Sequence, residues 1–104
     1  MPAPRMIDDG ATIRPNPRVE HRTLAGGEAV LLHLDTAAYH GLNQMGEAIW
    51  ESLGEGQTFG KLVEAVRAML DETPPQLRAD LEGFVRALAD RDLVLVEQAH
   101  DVRA

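Results

Sequence analysis

Leu32-His33-Leu34-Asp35-Thr36-Ala37-Ala38-Tyr39-His40-Gly41-Leu42-Asn43-Gln44-Met45-Gly46-Glu47-Ala48-Ile49-Trp50 holds the change of period that decides the fold. Before Leu42 the apolar residues alternate. A strand over Ala29 to Asp35 has Val30, Leu32 and Leu34 on one face and Leu31, His33 and Asp35 on the other. Tyr39 to Leu42 reads as a second strand after a tight turn at Thr36-Ala37. That hairpin sets Leu34 opposite Tyr39 and His33 opposite His40, a register resting on spacing alone, because no Asn-Gly or Asp-Gly turn fixes it. After Leu42 the period becomes helical. Asn43 is a natural N-cap, Met45, Ile49, Trp50 and Leu53 share a stripe, and Gly54 stops the helix.

Working outward, Thr58 caps a second helix with the stripe Phe59, Leu62, Val63, Val66, Met69 and Leu70. A third opens at Thr73-Pro74-Pro75-Gln76, read as an N-cap, a proline at the first helical position and a Gln at the third. Leu77, Leu81, Phe84, Val85 and Leu88 form its stripe, and Leu93 to Val96 is a terminal strand or extended tail. Upstream, Val19 to Leu24 is a strand. Residues 1–18 carry four of the six prolines and read as an extended arm with a short edge strand near Ala11 to Arg14. The division is an arm over 1–18, a domain over 19–97 and a tail over 98–104. The fold class is α+β: a three-stranded antiparallel sheet followed by a three-helix bundle, in a winged helix-turn-helix-like arrangement.

Composition narrows the function. The 104 residues contain no cysteine, which excludes disulfides and thiolate metal sites. No apolar run approaches the roughly 20 residues of a membrane span, and Met1 to Arg5 has no signal-like apolar core, so a cytoplasmic protein is expected. The net charge of −7 divides into +1 over residues 1–24 and −8 over 25–104, and so acidic a body repels a phosphate backbone. In the expected register His33 and His40, with Asp35, could hold a divalent metal. Without cysteine or a helical His-Glu-x-x-His they read instead as a polar cross-strand pair. Ser52 and Lys61, each the sole residue of its type, sit on helix surfaces with no activating base. Gly54-Glu55-Gly56 lacks the Lys-Ser/Thr of a phosphate loop. Neither catalytic residues nor a metal or cofactor site is expected. What remains is a binding module whose asset is a sheet edge beside a helix, where an extended peptide adds as a strand.

The quoted stretch resembles the PqqD-like family, the precursor-peptide recognition elements of ribosomally made, modified peptides. The family's Leu-Asn-x-x-Gly-x-x-Ile-Trp pattern falls on Leu42, Asn43, Gly46, Ile49 and Trp50, and the similarity runs over about residues 28–95. Asp92 departs from the Gly-Leu that members often carry before the last strand. The resemblance implies a winged helix-turn-helix-like fold that binds the leader of a precursor peptide. The leader is presented to a leader protease, a cyclase or a radical SAM enzyme. The tyrosine-bearing hairpin and the intact Leu-Asn-x-x-Gly are most similar to the discrete B1 proteins of lasso peptide biosynthesis; a PQQ-type peptide chaperone is the alternative, and a winged-helix DNA regulator a further one. The location the resemblance implies for the leader is a fourth antiparallel strand on the edge Ala38, Tyr39, His40, Gly41 and Leu42. The floor there is Leu32, Leu34 and Tyr39 from the sheet and Leu81, Phe84 and Val85 from the third helix, suited to aromatic, proline and leucine anchors. Arg78 and Asp80 lie on opposite flanks of that helix, and the helical wheel leaves open which one faces the peptide.

Overall fold

The computed structural model describes residues 7–98. Two three-stranded sheets and three helices share one core. β1 (Thr12–Pro15) is followed by β2 (Val19–Thr23), a single 3-10 turn at Ala25–Gly27, β3 (Ala29–His33) and β4 (Tyr39–Leu42). α1 (Gln44–Leu53), β5 (Gln57–Thr58), α2 (Phe59–Met69), α3 (Leu77–Asp90) and β6 (Val94–Glu97) complete the order. The antiparallel sheet β2-β3-β4 with the three helices is the α+β arrangement expected. A second sheet, β5-β1-β6, was not expected. In it β1, from the segment read as an arm, is the central strand, and Ile7, Ala11 and Ile13 belong to the core. Residues 1–6 and 99–104, including His100 and most of the expected tail, lie outside the described residues.

The helices begin and end for local reasons. The Asn43 side chain accepts from the Gly46 N–H at 2.8 Å, and that of Thr58 from the Lys61 N–H at 3.3 Å. Gly54 ends α1 at φ 56°, a conformation that costs glycine nothing. α3 starts later than expected. Its N-cap is Gln76, with no side-chain cap, while residues 74–77 form a turn closed by Leu77 N–H to the Pro74 carbonyl. The reason is Pro75, whose ring drives the preceding Pro74 out of helical backbone.

The hairpin register also differs. Leu32 faces Tyr39 and Leu31 faces His40, so His33 and His40 are not paired. The turn is wider than two residues, because the Ala37 N–H returns to the His33 carbonyl and Ala37 takes φ 61°. A two-residue slip preserves the faces. Ala29, Leu31, His33 and Leu42 point inward and are buried.

Four polar contacts bind the layers. The His21 ring meets Glu47 Oε1 at 2.6 Å and stacks on Trp50 at 6.1 Å, while Thr23 Oγ1 donates to Glu47 Oε2, joining β2 to α1. Burial pushes the Glu47 carboxyl upward, but the hydrogen bonds from His21 and Thr23 outweigh it and hold the group below its ordinary range. Glu82 of α3 accepts from the Ile7 N–H and Arg78 donates to the Ile7 carbonyl, so α3 grips the main chain before β1.

Candidate functional site: the free edge of β4

β4 ends its sheet, because the strand order is β2-β3-β4. The His33 N–H donates to the Ala38 carbonyl at 3.0 Å. Along the antiparallel ladder bonded pairs alternate, so His40 and Leu42 bond to β3. The N–H and C=O groups of Tyr39 and Gly41 therefore point away from the sheet. Four main-chain groups are left to a further strand.

Cavities lie at both ends of this edge. One, of about 380 Å³, opens where α1, α2 and α3 meet beyond Leu42. Met45 and Ile49 wall it from α1, Val66 and Leu70 from α2, and Leu77, Asp80, Leu81 and Phe84 from α3. The other, of about 290 Å³, lies between the start of β4 and the end of α3. It is lined by Thr36, Ala38, Tyr39, His40, Arg91 and Leu93. Burial is the larger cause, and the Arg91 charge the smaller, of the lowering of the His40 imidazole below its ordinary value.

The residues expected at this site fall into three groups. Ala38 and His40 line the second cavity, and Leu81, Phe84 and Asp80 line the first. Gly41 and Leu42 sit on the edge strand between them, and a Cβ at Gly41 would meet nothing within 4 Å. Leu32 and Leu34 are not floor: they share the outer sheet face with the Tyr39 side chain, and Leu34 and Tyr39 are 43% and 71% exposed. They were misassigned because the apolar alternation of residues 30–34 does not say which face is covered. In fact the opposite set, Ala29, Leu31 and His33, is inward. Val85 is only 1% exposed and belongs to the core. Arg78 faces away from the edge, paired with Asp9, bonded to Ile7 and lying 4.8 Å over the Phe59 ring. The flank of α3 at the cavity is therefore that of Asp80.

Sequence reasoning missed Met45, Ile49 and Leu70 at the first cavity and Thr36, Arg91 and Leu93 at the second. A signal was available for Arg91: Asp80, Phe84 and Arg91 stand at i, i+4 and i+11, one face of a helix. The polar cross-strand pair expected of His33 and His40 does not form, because His40 lies opposite Leu31. His33 is 2% exposed, its Nδ1 accepts from the Asp35 N–H, and its Nε2 lies 3.0 Å from Asp92 Oδ2. No group of three or more potential metal ligands occurs among the described residues. Nor is any helix among them long and apolar enough to cross a membrane.

The comparisons agree with this geometry. No curated protein matches the chain. A solved structure, TbiB1 in complex with the TbiA(beta) leader peptide, is similar at a TM-score of 0.70 and 32% sequence identity, covering 88% of this chain and 99% of that one. The model of the family described as coenzyme PQQ synthesis protein D matches residues 28–94, the span that holds β3, β4, all three helices and both cavities. With its motif, fold and sequence match coinciding over that span, the chain belongs to the PqqD family.

Proposed function

We propose that this protein is a non-catalytic binding module for the leader segment of a ribosomally made precursor peptide. The leader adds to β4 as a fourth antiparallel strand and lies in the trough beside α3. The observation that carries the reading is the free β4 edge with a cavity at each end, the one at its start bordered by Arg91 and the one beyond its end by Asp80. Main-chain bonds to Tyr39 and Gly41 supply affinity that any sequence can use, and the cavities supply selection. The first cavity, walled by Ile49, Leu81 and Phe84, suits an aromatic, leucine or proline anchor. The bound leader is delivered in the cytoplasm to a leader protease, cyclase or other modifying enzyme. Similarity to TbiB1 over nearly the whole chain supports the lasso class, and the family description supports the PQQ-type chaperone as second reading.

The test is titration of the labelled chain with the TbiA(beta) leader peptide, followed by amide shifts. Shifts are expected in residues 38–42, at Met45 and Ile49, and along 80–91. The peptide should remain uncut by the purified chain. Shifts confined to the outer faces of α2 and β2 would overturn the site, and cleavage would overturn the non-catalytic reading. Gly41→Pro is the decisive variant. Proline removes the outward N–H of residue 41 and no bond to β3, so binding should weaken roughly tenfold, about 1.4 kcal/mol, with the melting curve nearly unchanged.

A further inference from the structure

The face of α3 that turns to the trough carries Asp80, Phe84, Ala87 and Arg91 at i, i+4, i+7 and i+11. Asp80 and Phe84 border the cavity beyond the end of β4, and Arg91 borders the cavity at its start. Charges of opposite sign thus stand at the two ends of an apolar face. Eleven helical residues separate them by about 16 Å, a length that about five residues of extended peptide cover.

Arg91 is exposed and makes no ion pair among the described residues. The nearby carboxylates are turned elsewhere. Asp92 accepts from Asn16 and lies against the His33 ring, Asp35 pairs with Arg18 at 2.8 Å, and Asp90 does not border the cavity. The guanidinium therefore faces a cavity whose other walls are Thr36, Ala38, Tyr39, His40 and Leu93, with no anion among the described residues to meet it.

We infer that Arg91 is a specificity-determining residue that selects an extended peptide bearing an Asp or Glu about four to six residues C-terminal to its apolar anchor. The inference rests on the peptide-binding reading above and adds a polarity to it. An antiparallel strand on β4 runs from the Asp80 cavity to the Arg91 cavity, so the anchor comes first and the carboxylate after it. The reverse order sets the carboxylate against Asp80. Such a pair is partly exposed, so its share in affinity is modest, about two- to fivefold, and it shrinks as salt rises.

The test is selection of random extended peptides, displayed on phage, on the full chain and on Arg91→Gln, Arg91→Lys and Gly41→Pro. The parent should enrich an apolar anchor followed four to six residues later by Asp or Glu. Arg91→Gln should keep the anchor and lose the acidic position, and Arg91→Lys should restore it. Anchored peptides from the parent with no acidic preference, or a preference that survives in Arg91→Gln, would overturn the role of Arg91 and leave the edge reading standing. Peptides enriched equally on Gly41→Pro would overturn the edge reading itself, and the inference with it. Melting curves for each variant separate these results from loss of fold.

Discussion

Asp92 adopts φ 62°, a left-handed conformation that L-residues other than Asn and Asp rarely take. Its N–H returns to the Ala89 carbonyl and that of Leu93 to the Leu88 carbonyl, the paired bonds that close a helix where glycine is usual. The carboxylate compensates, lying 3.0 Å from His33 Nε2 and accepting from Asn16 Nδ2 at 3.2 Å. Asp92→Ala removes these partners and leaves a buried imidazole N–H unpaired, so it should cost about 2–4 kcal/mol in urea unfolding. Asp92→Asn, which keeps an acceptor and tolerates the backbone, should cost about 1 kcal/mol or less. At His40 the sign of the pH effect is fixed by geometry. Burial and then Arg91 lower its pKa from 6.5, so the unfolded chain binds the proton more readily. Its contribution is present above about 6.5 and is lost as pH falls through the lower folded value. A ring titration by NMR should give a midpoint below 6.5, moving upward in Arg91→Gln.

Among the elements, α1 depends on Trp50, which is 8% exposed and stacked on His21. Trp50→Ala should cost about 3–5 kcal/mol, read as a lowered denaturation midpoint. In α3, neighbours differ in role. Val85→Glu buries an unpaired charge and should prevent folding. Phe84→Ala, at the half-buried wall of the cavity, should leave a folded chain that binds leader roughly tenfold more weakly. These elements were largely legible in the sequence, because caps such as Asn43 and Thr58 act within a few residues and apolar stripes repeat at one spacing. What lay hidden depends on distant partners. The hairpin slipped by two residues because His33 captures the Asp35 N–H through its ring and Arg18 holds the Asp35 carboxylate, widening the turn. The two-residue β5 has no periodicity to announce it, so β1, legible as a short edge strand near Ala11 to Arg14, turns out to be central, and the covered face of β3 is decided by what packs there. Of the candidate site, the edge and the Leu81–Phe84 wall were readable, whereas the flank of α3 at the cavity is set by the long-range bond of Arg78 to Ile7.

At the scale of the molecule, the charges bear on what the surface can bind. Two of the basic residues of α3 are engaged, Arg78 with Asp9 and Arg86 with Glu82, and Arg91 stands at its end. On a chain of net charge −7, that leaves little to attract duplex DNA, and no salt-dependent binding is expected in a mobility shift at micromolar protein. The two sheets divide the work. β2-β3-β4 offers the edge, while β5-β1-β6 holds the segment preceding β2 against the strand that follows α3.

The pairing of Thr12 with Glu97, Ile13 with Val96 and Pro15 with Val94 joins residues some eighty positions apart. During synthesis β1 leaves the ribosome before β6, and it finds this neighbour only after residues 94–97 have emerged. The hairpin and α1 can form while translation proceeds, but the second sheet cannot close until residue 97 clears the exit tunnel. A nascent chain halted earlier keeps β1 half-paired, and α3 lacks the anchored strand that fixes its end at Arg91 and Leu93. On the proposed function, capture of a peptide at both ends of the trough would thereby depend on the release of β6. Stalled chains of increasing length should gain leader affinity abruptly once β6 is released, rather than by degrees.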